Sequence, residues 1–349
     1  MEKRVLYAVL NWGLGHATRS VPIIESLQHF GAEVEITSSG LALSYLKKRF
    51  PAFVFYDLPD REILYSKKGA KSGMIKRALV QSNINSEQHR FISKLVEAKK
   101  FTHIVSDNVY GAYNDGVPSA LISHQLSLKA PFGESLINAK LANWINQFSE
   151  VWIPDGPNHL VSGDLASSQK VMIPKKHLGI PSRFMKDNIA EKKYRIGVVL
   201  GGPEPQRSIL EKHLLKILKS IEGKKILFRG SESIDELGDD SIENTPLGDG
   251  EEMASKLAAC ELVIGRSGYS TICDLMVIGS KALLIPTPGQ SEQEYLAGRM
   301  RIQPQFSTCS QEKLDVERIK RGLNKEFQTK ERFGFFKSDS KVVEAFLKQ

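Results

Sequence analysis

Short apolar runs alternate with helical stretches along most of the chain, and that alternation restricts the fold more than any other feature. Residues 5–10, 34–37, 53–56, 104–106, 120–123 and 151–154 read as a first set of strands, and 196–200, 226–229, 262–265 and 282–286 as a second. Helical stretches near 17–30, 74–99, 209–221, 252–259, 269–278 and 291–301 fall between them. Strands that follow one another through helices pair in parallel, with helices covering both faces of the sheet. At 349 residues the chain exceeds the roughly 250–300 at which single cores stop growing. Residues 179–188, which contain Pro181 and show no period, read as a linker. The expectation is α/β: two doubly wound domains facing each other across a cleft. They cover 1–180 and 190–335, with a last helix within 338–349 packing back on the first.

A charged fraction of 25% beside 41% hydrophobic residues describes a globular protein that dissolves in water. Cys260, Cys273 and Cys309 form no CxxC pair and no metal-ligand spacing, which points to a reducing compartment. The apolar run at 5–10 is too short for a signal peptide, and no window reaches the length of a membrane span. The net charge of +8 favours an anionic partner. No RNA-binding signature accompanies it, so nucleic acid is not expected.

The most informative motif is the segment at 263–279: a strand, a glycine turn (Gly265-Arg266-Ser267-Gly268) and a helix bearing Asp274. Glycines let a backbone approach an anion closely, and a helix N-terminus offers unpaired N–H groups and a positive dipole end. Asp274, seven residues past Ser267, returns to nearly the same helix face after about two turns, placed to accept from ribose hydroxyls. The loop 287–295 follows the next strand, where a ligand would sit. Gly201 and Gly202, after the first strand of this second set, make another anion cradle, with Arg207 near it. Either turn is also compatible with an ordinary strand–turn–helix connection.

The first strand ends in Asn11-Trp12-Gly13-Leu14-Gly15-His16. Thr18 stands where a dinucleotide fingerprint needs its third glycine, so a nicotinamide or flavin site is disfavoured. His16 opens the next helix, where the dipole disfavours imidazolium, and a neutral imidazole can take a proton from a hydroxyl. Asp107 ends the strand 103–107, either orienting His16 or accepting the proton itself; both residues also fit simple capping roles. His124 and Gln125, after the next strand, face the same edge. The basic stretch 65–77, with Lys67, Lys68, Lys71, Lys76 and Arg77, is either a solvated loop or a contact with anionic lipid or a phosphorylated acceptor.

Together, the Gly13–His16 turn, the Gly201-Gly202 turn and the segment Arg266–Asp274 resemble the GT-B glycosyltransferases. The nearest subgroup, family-28-like, contains the enzyme that adds N-acetylglucosamine to lipid-linked peptidoglycan precursors. The resemblance implies two Rossmann-like domains, the C-terminal one binding the nucleotide sugar and the N-terminal one the acceptor. It implies inversion without a metal or other cofactor, and the sequence contains no Asp-x-Asp triplet. By position Arg266, Ser267 and Gly268 face the diphosphate, Asp274 replaces the family's Glu on the ribose, and Gln293 and Glu294 stand in place of a Gln-Gln pair near the sugar. His16 matches the proposed base, and Gln125 stands where the peptidoglycan enzyme has Glu. Gly13, Gly15, His124 and Gln125 fall on the acceptor side. The departures at 125, 274 and 294 leave the donor sugar and the acceptor open.

The function expected is transfer of a sugar from a nucleotide-diphosphate sugar, UDP-linked, to a hydroxyl of a lipid-linked or cell-envelope glycan. The place expected is the cytoplasm, peripherally at the inner membrane face. A nucleotide-sugar 2-epimerase is the alternative enzyme, but Pro288-Gly289-Gln290-Ser291-Glu292 is not the Thr-Glu-Arg-Pro-Glu-like segment it should carry. A nucleotide-sugar-binding subunit without turnover is the alternative outside enzymes.

Overall fold

Thirteen strands form two sheets in a computed structural model that describes residues 2–60, 74–129, 133–184, 191–202, 204–230, 237–245, 250–326 and 340–349. The chain divides into two units, with the break between Pro181 and Ser182, inside the stretch read as a linker. The first unit contains β1 (Lys3–Val9), α1 (Gly15–His29), β2 (Ala32–Ser38), α2 (Gly40–Arg49), β3 (Phe55–Asp57) and α3 (Met74–Lys99). It continues with β4 (His103–Asp107), β5 (Ser119–Ile122), α4 (Glu134–Ile145), β6 (Glu150–Ile153) and β7 (Lys175–His177). The second contains β8 (Tyr194–Val199), α5 (Gln206–Leu218), β9 (Lys225–Phe228), β10 (Ile242–Thr245), α6 (Gly250–Ala258) and β11 (Cys260–Gly265). It closes with α7 (Tyr269–Val277), β12 (Ala282–Leu284), α8 (Ser291–Met300), β13 (Phe306–Thr308) and α9 (Val316–Asn324). The last helix, α10 (Ser340–Phe346), belongs to the first unit.

Every strand pair is parallel. The first sheet runs β3-β2-β1-β4-β5-β6-β7 and the second β10-β9-β8-β11-β12-β13. In both, the order reverses beside the first strand, between β1 and β4 in one and β8 and β11 in the other. Ligands of open α/β sheets bind outside the carboxyl ends of the strands at this reversal. The register aligns those ends: Val9 pairs with Asp107, and Val199 with Gly265.

The central strands carry apolar runs because helices cover them on both faces. Val5, Leu6, Tyr7, Ala8 and Val9 are all fully buried. α10 completes one layer of this core: Val343, Phe346 and Leu347 join the cluster around β1 and β2, and the Phe346 ring meets Trp152 edge-on at 5.1 Å.

Three strands lay outside the sequence reading: β7, β10 and β13. All are edge strands, with sequences Lys-Lys-His, Ile-Glu-Asn-Thr and Phe-Ser-Thr. An edge strand pairs on one side only, so it does not need a continuous apolar run. The basic stretch at 65–77 lies outside the described residues, except that the backbone of 74–77 opens α3. No helix among the described residues is long and apolar enough to cross a membrane.

Candidate functional site

In the first unit the turn after β1 bends at Gly13, whose φ of +67° is left-handed and suits glycine. It delivers His16 as the second residue of α1, next to the carboxyl end of β4. Nδ1 of His16 lies 2.7 Å from Oδ1 of Asp107, which is fully buried. Arg19, one turn along α1, donates from Nε to Oδ2 of Asp107 at 2.8 Å and from Nη2 to Oδ1. The Ser20 hydroxyl donates to Oδ2 at 3.1 Å. Arg19 also places Nη1 3.0 Å from Nδ1 of His124, in the loop after β5.

Burial opposes the charge on Asp107, but Arg19 and His16 outweigh it and hold the carboxyl well below the usual carboxylate range. For His16, burial and then Arg19 lower the pKa, against the pull of Asp107, so the imidazole is neutral near pH 7. A lone pair on Nδ1 facing a carboxylate oxygen at 2.7 Å is repulsive, so Nδ1 carries the hydrogen and donates it to Asp107. Nε2 then holds the lone pair. Asp107 is sealed behind His16, which favours an orienting carboxylate over a base that meets substrate. Arg19 and Ser20 were absent from the sequence reading. Their signal was the i+3 and i+4 spacing from His16, which places all three on one helix face. Gln125 is half-buried, and its backbone N–H donates to the Ser123 hydroxyl at 3.1 Å.

In the second unit Arg266, Ser267 and Gly268 join β11 to α7. Gly268 occupies the N-cap with no side-chain hydrogen bond closing the helix end. The first N–H groups of α7 therefore have no side-chain acceptor from the cap. Arg266 is 3% exposed and donates to the carbonyls of Gln206 at 2.8 Å and Pro286 at 3.3 Å. Burial lowers its pKa to about 10. Its guanidinium ties together the loops that follow β8, β11 and β12, and its Nε has no hydrogen-bond partner among the described residues.

The neighbouring residues fix the same loops. Ser267 donates to the carbonyl of Gln293 at 2.8 Å, and the Gln293 side chain accepts from the N–H of Thr287 at 2.9 Å. Glu294 accepts from the N–H of Gly289 at 3.0 Å. Gly202, φ +94°, ends the turn after β8 with Gly201. Arg207 is not a free cation: it donates to Glu204 at 2.8 Å and lies 3.4 Å from Glu211. Asp274 accepts from the Ser182 hydroxyl at 2.6 Å and lies 3.4 Å from Arg183 Nε. Burial raises its pKa, partly offset by Arg183 and Ser182. Ser182 and Arg183 were not anticipated, since nothing local in the sequence ties residue 182 to 274.

Both halves of the chain match glycosyltransferase families. Residues 211–347 match the glycosyltransferase family 28 C-terminal domain, and residues 3–110 match glycosyl transferase family 1. Among solved structures, MurG of Acinetobacter baumannii aligns with 99% of this chain and 100% of its own at a TM-score of 0.61 and 16% identity. The spinosyn rhamnosyltransferase SpnG, complexed with thymidine diphosphate, aligns with 99% of this chain and 96% of its own at 0.63 and 14%. The fold is that of the GT-B glycosyltransferases. Among GT-B relatives, the UDP-N-acetylglucosamine–N-acetylmuramyl-(pentapeptide) pyrophosphoryl-undecaprenol N-acetylglucosamine transferase of Methylobacterium sp. (strain 4-46) is 44% identical over 46 residues. That stretch is 13% of this chain and 12% of the relative.

Proposed function

We propose that this GT-B chain is an inverting, metal-independent glycosyltransferase that moves a sugar from a nucleotide-diphosphate sugar to a hydroxyl of a glycan or lipid-linked acceptor. The observation that carries the reading is His16, a buried neutral imidazole backed by a carboxylate at the switch point of its sheet. An acceptor hydroxyl would attack the anomeric carbon from the side opposite the diphosphate. The new C–O bond forms as the bond to the diphosphate oxygen breaks, which inverts the centre. Nε2 of His16 takes the hydroxyl proton, and Asp107 stays ionised and steadies the imidazolium.

The leaving diphosphate would meet the N-terminus of α7, whose N–H groups and dipole end would offset its charge. Arg266 would act mainly as a brace, holding three loops in place. Asp274, whose Oδ1 takes the Ser182 hydroxyl and whose Oδ2 faces Arg183, would accept from ribose hydroxyls with its remaining lone pairs. The relative from Methylobacterium, by its name, uses a UDP-linked donor and a pyrophosphoryl-undecaprenol acceptor. UDP is therefore the first donor base to test, and thymidine diphosphate the second.

Thermal unfolding in a panel of UDP-, TDP-, GDP- and ADP-linked sugars tests the reading. A ligand held at 100 times its dissociation constant adds about 2.7 kcal/mol of stability. We expect stabilisation by a uridine or thymidine donor that survives added chelator. A panel without any stabilisation at millimolar ligand contradicts the proposal.

A further inference from the structure

Arg19 lies between two histidines on different elements, and its guanidinium has donors enough to reach both sides. Two of its N–H groups hold the Asp107 carboxylate, while Nη1 points at Nδ1 of His124 from 3.0 Å. Arg19 is 3% exposed, His124 7% and Asp107 0%, so water contributes little to these contacts. A guanidinium keeps its protons at every physiological pH and accepts no hydrogen bond. Nδ1 of His124 must therefore be the acceptor, which puts that ring's hydrogen on Nε2. Nδ1 of His16, 2.7 Å from Asp107, must be a donor, which leaves its Nε2 bare. Nη2 of Arg19 also lies 2.9 Å from Nδ1 of His16, but a bare Nδ1 would set its lone pair against Oδ1 of Asp107 at 2.7 Å, so the hydrogen sits on Nδ1 and Nη2 donates to Oδ1.

We infer that Arg19 is a positioning residue that sets opposite tautomers on the two histidines, directly on His124 and through Asp107 on His16. In these forms Nε2 of His16 keeps the lone pair that takes a proton, while His124 is held against Arg19 by its Nδ1. The inference rests on the reading of His16 as the base and adds the residue that fixes its tautomer. The charged or titratable groups facing His16 are Arg19 on its own helix, Asp107 on β4 and His124 after β5. Tyr7, on β1, faces Asp107, and burial and that carboxylate push its pKa well above the usual value.

Long-range proton–nitrogen NMR of the full chain with nitrogen-15 histidine reads the tautomers without substrate, with His16→Gln and His124→Gln supplying assignments. The wild type should show hydrogen on Nδ1 of His16 and on Nε2 of His124. In Arg19→Lys a single ammonium keeps a positive charge beside Asp107 but cannot span to His124. His16 should keep its form, and His124 should relax to a mixture. Arg19→Met should in addition raise the His16 titration midpoint by about one pH unit or more, since Asp107 loses its opposing cation. If Arg19→Met does not fold, Arg19→Lys alone decides. Hydrogen on Nε2 of wild-type His16, or an unaltered His124 in Arg19→Lys, overturns the inference. Lack of sugar transfer with these tautomers in place would count against the proposed function and not against Arg19.

Discussion

At the scale of single residues, the strand ends carried most of the legible signal. His16 and Asp107 could be singled out because each follows an apolar run and chemistry gathers at carboxyl ends of strands. Arg19 stood out less, because an arginine one turn after His16 ordinarily points to solvent, and only the fold turns it onto a buried acid. The resulting cluster is costly to break. Asp107→Asn leaves the Arg19 guanidinium buried without its counter-charge, and we expect a loss of about 3–5 kcal/mol of stability. Urea unfolding at pH 7 measures it, and a loss below about 1 kcal/mol would mean that Arg19 finds another partner. The pH dependence has a definite sign. Asp107 is held below its ordinary value near 3.9, so its contribution is full above that pH and is lost as pH falls toward its folded value. His16 is lowered from about 6.5, so below that pH the unfolded chain takes the proton first. Both groups therefore make the fold weaker in acid.

At the scale of elements, buried strands were readable, and three of the four edge strands were not. β1, β4, β8 and β11 are sandwiched between helices and show continuous apolar runs, whereas β7, β10 and β13 carry lysine, glutamate and serine in place of a pattern. Helix α9 also went unread, although Asp315 caps it by accepting from the N–H of Arg318 at 2.7 Å. Its apolar residues are few, and only Ile319, Gly322 and Leu323 are buried. The start of α7 yields a prediction that separates folding from binding. Gly268 has φ −72°, a conformation alanine also adopts. A methyl there would meet nothing nearer than the Thr271 hydroxyl at 3.9 Å. Gly268→Ala should therefore change stability by less than about 1 kcal/mol. If a diphosphate packs against this backbone, the same methyl should weaken nucleotide affinity about tenfold, measured by calorimetry. Equal affinity in wild type and variant would move the anion away from α7.

At the scale of the whole molecule, the two parallel sheets and their number followed from the alternation of strands and helices and from chain length. The strand orders did not, because pairing between non-consecutive strands leaves no local trace. Those orders matter most for function, since they bring the loops after β1 and β4 together, and those after β8 and β11. Under the proposed function each unit would supply one half of the transfer, a proton acceptor in the first and a helix N-terminus facing the diphosphate in the second. The most direct measurement compares wild type and His16→Ala with one donor and acceptor, following nucleoside diphosphate release alongside calorimetric binding of the nucleotide. The account predicts nucleotide affinity unchanged within about twofold and turnover lower by about 10²–10⁴-fold. Near-normal turnover in the variant would contradict it.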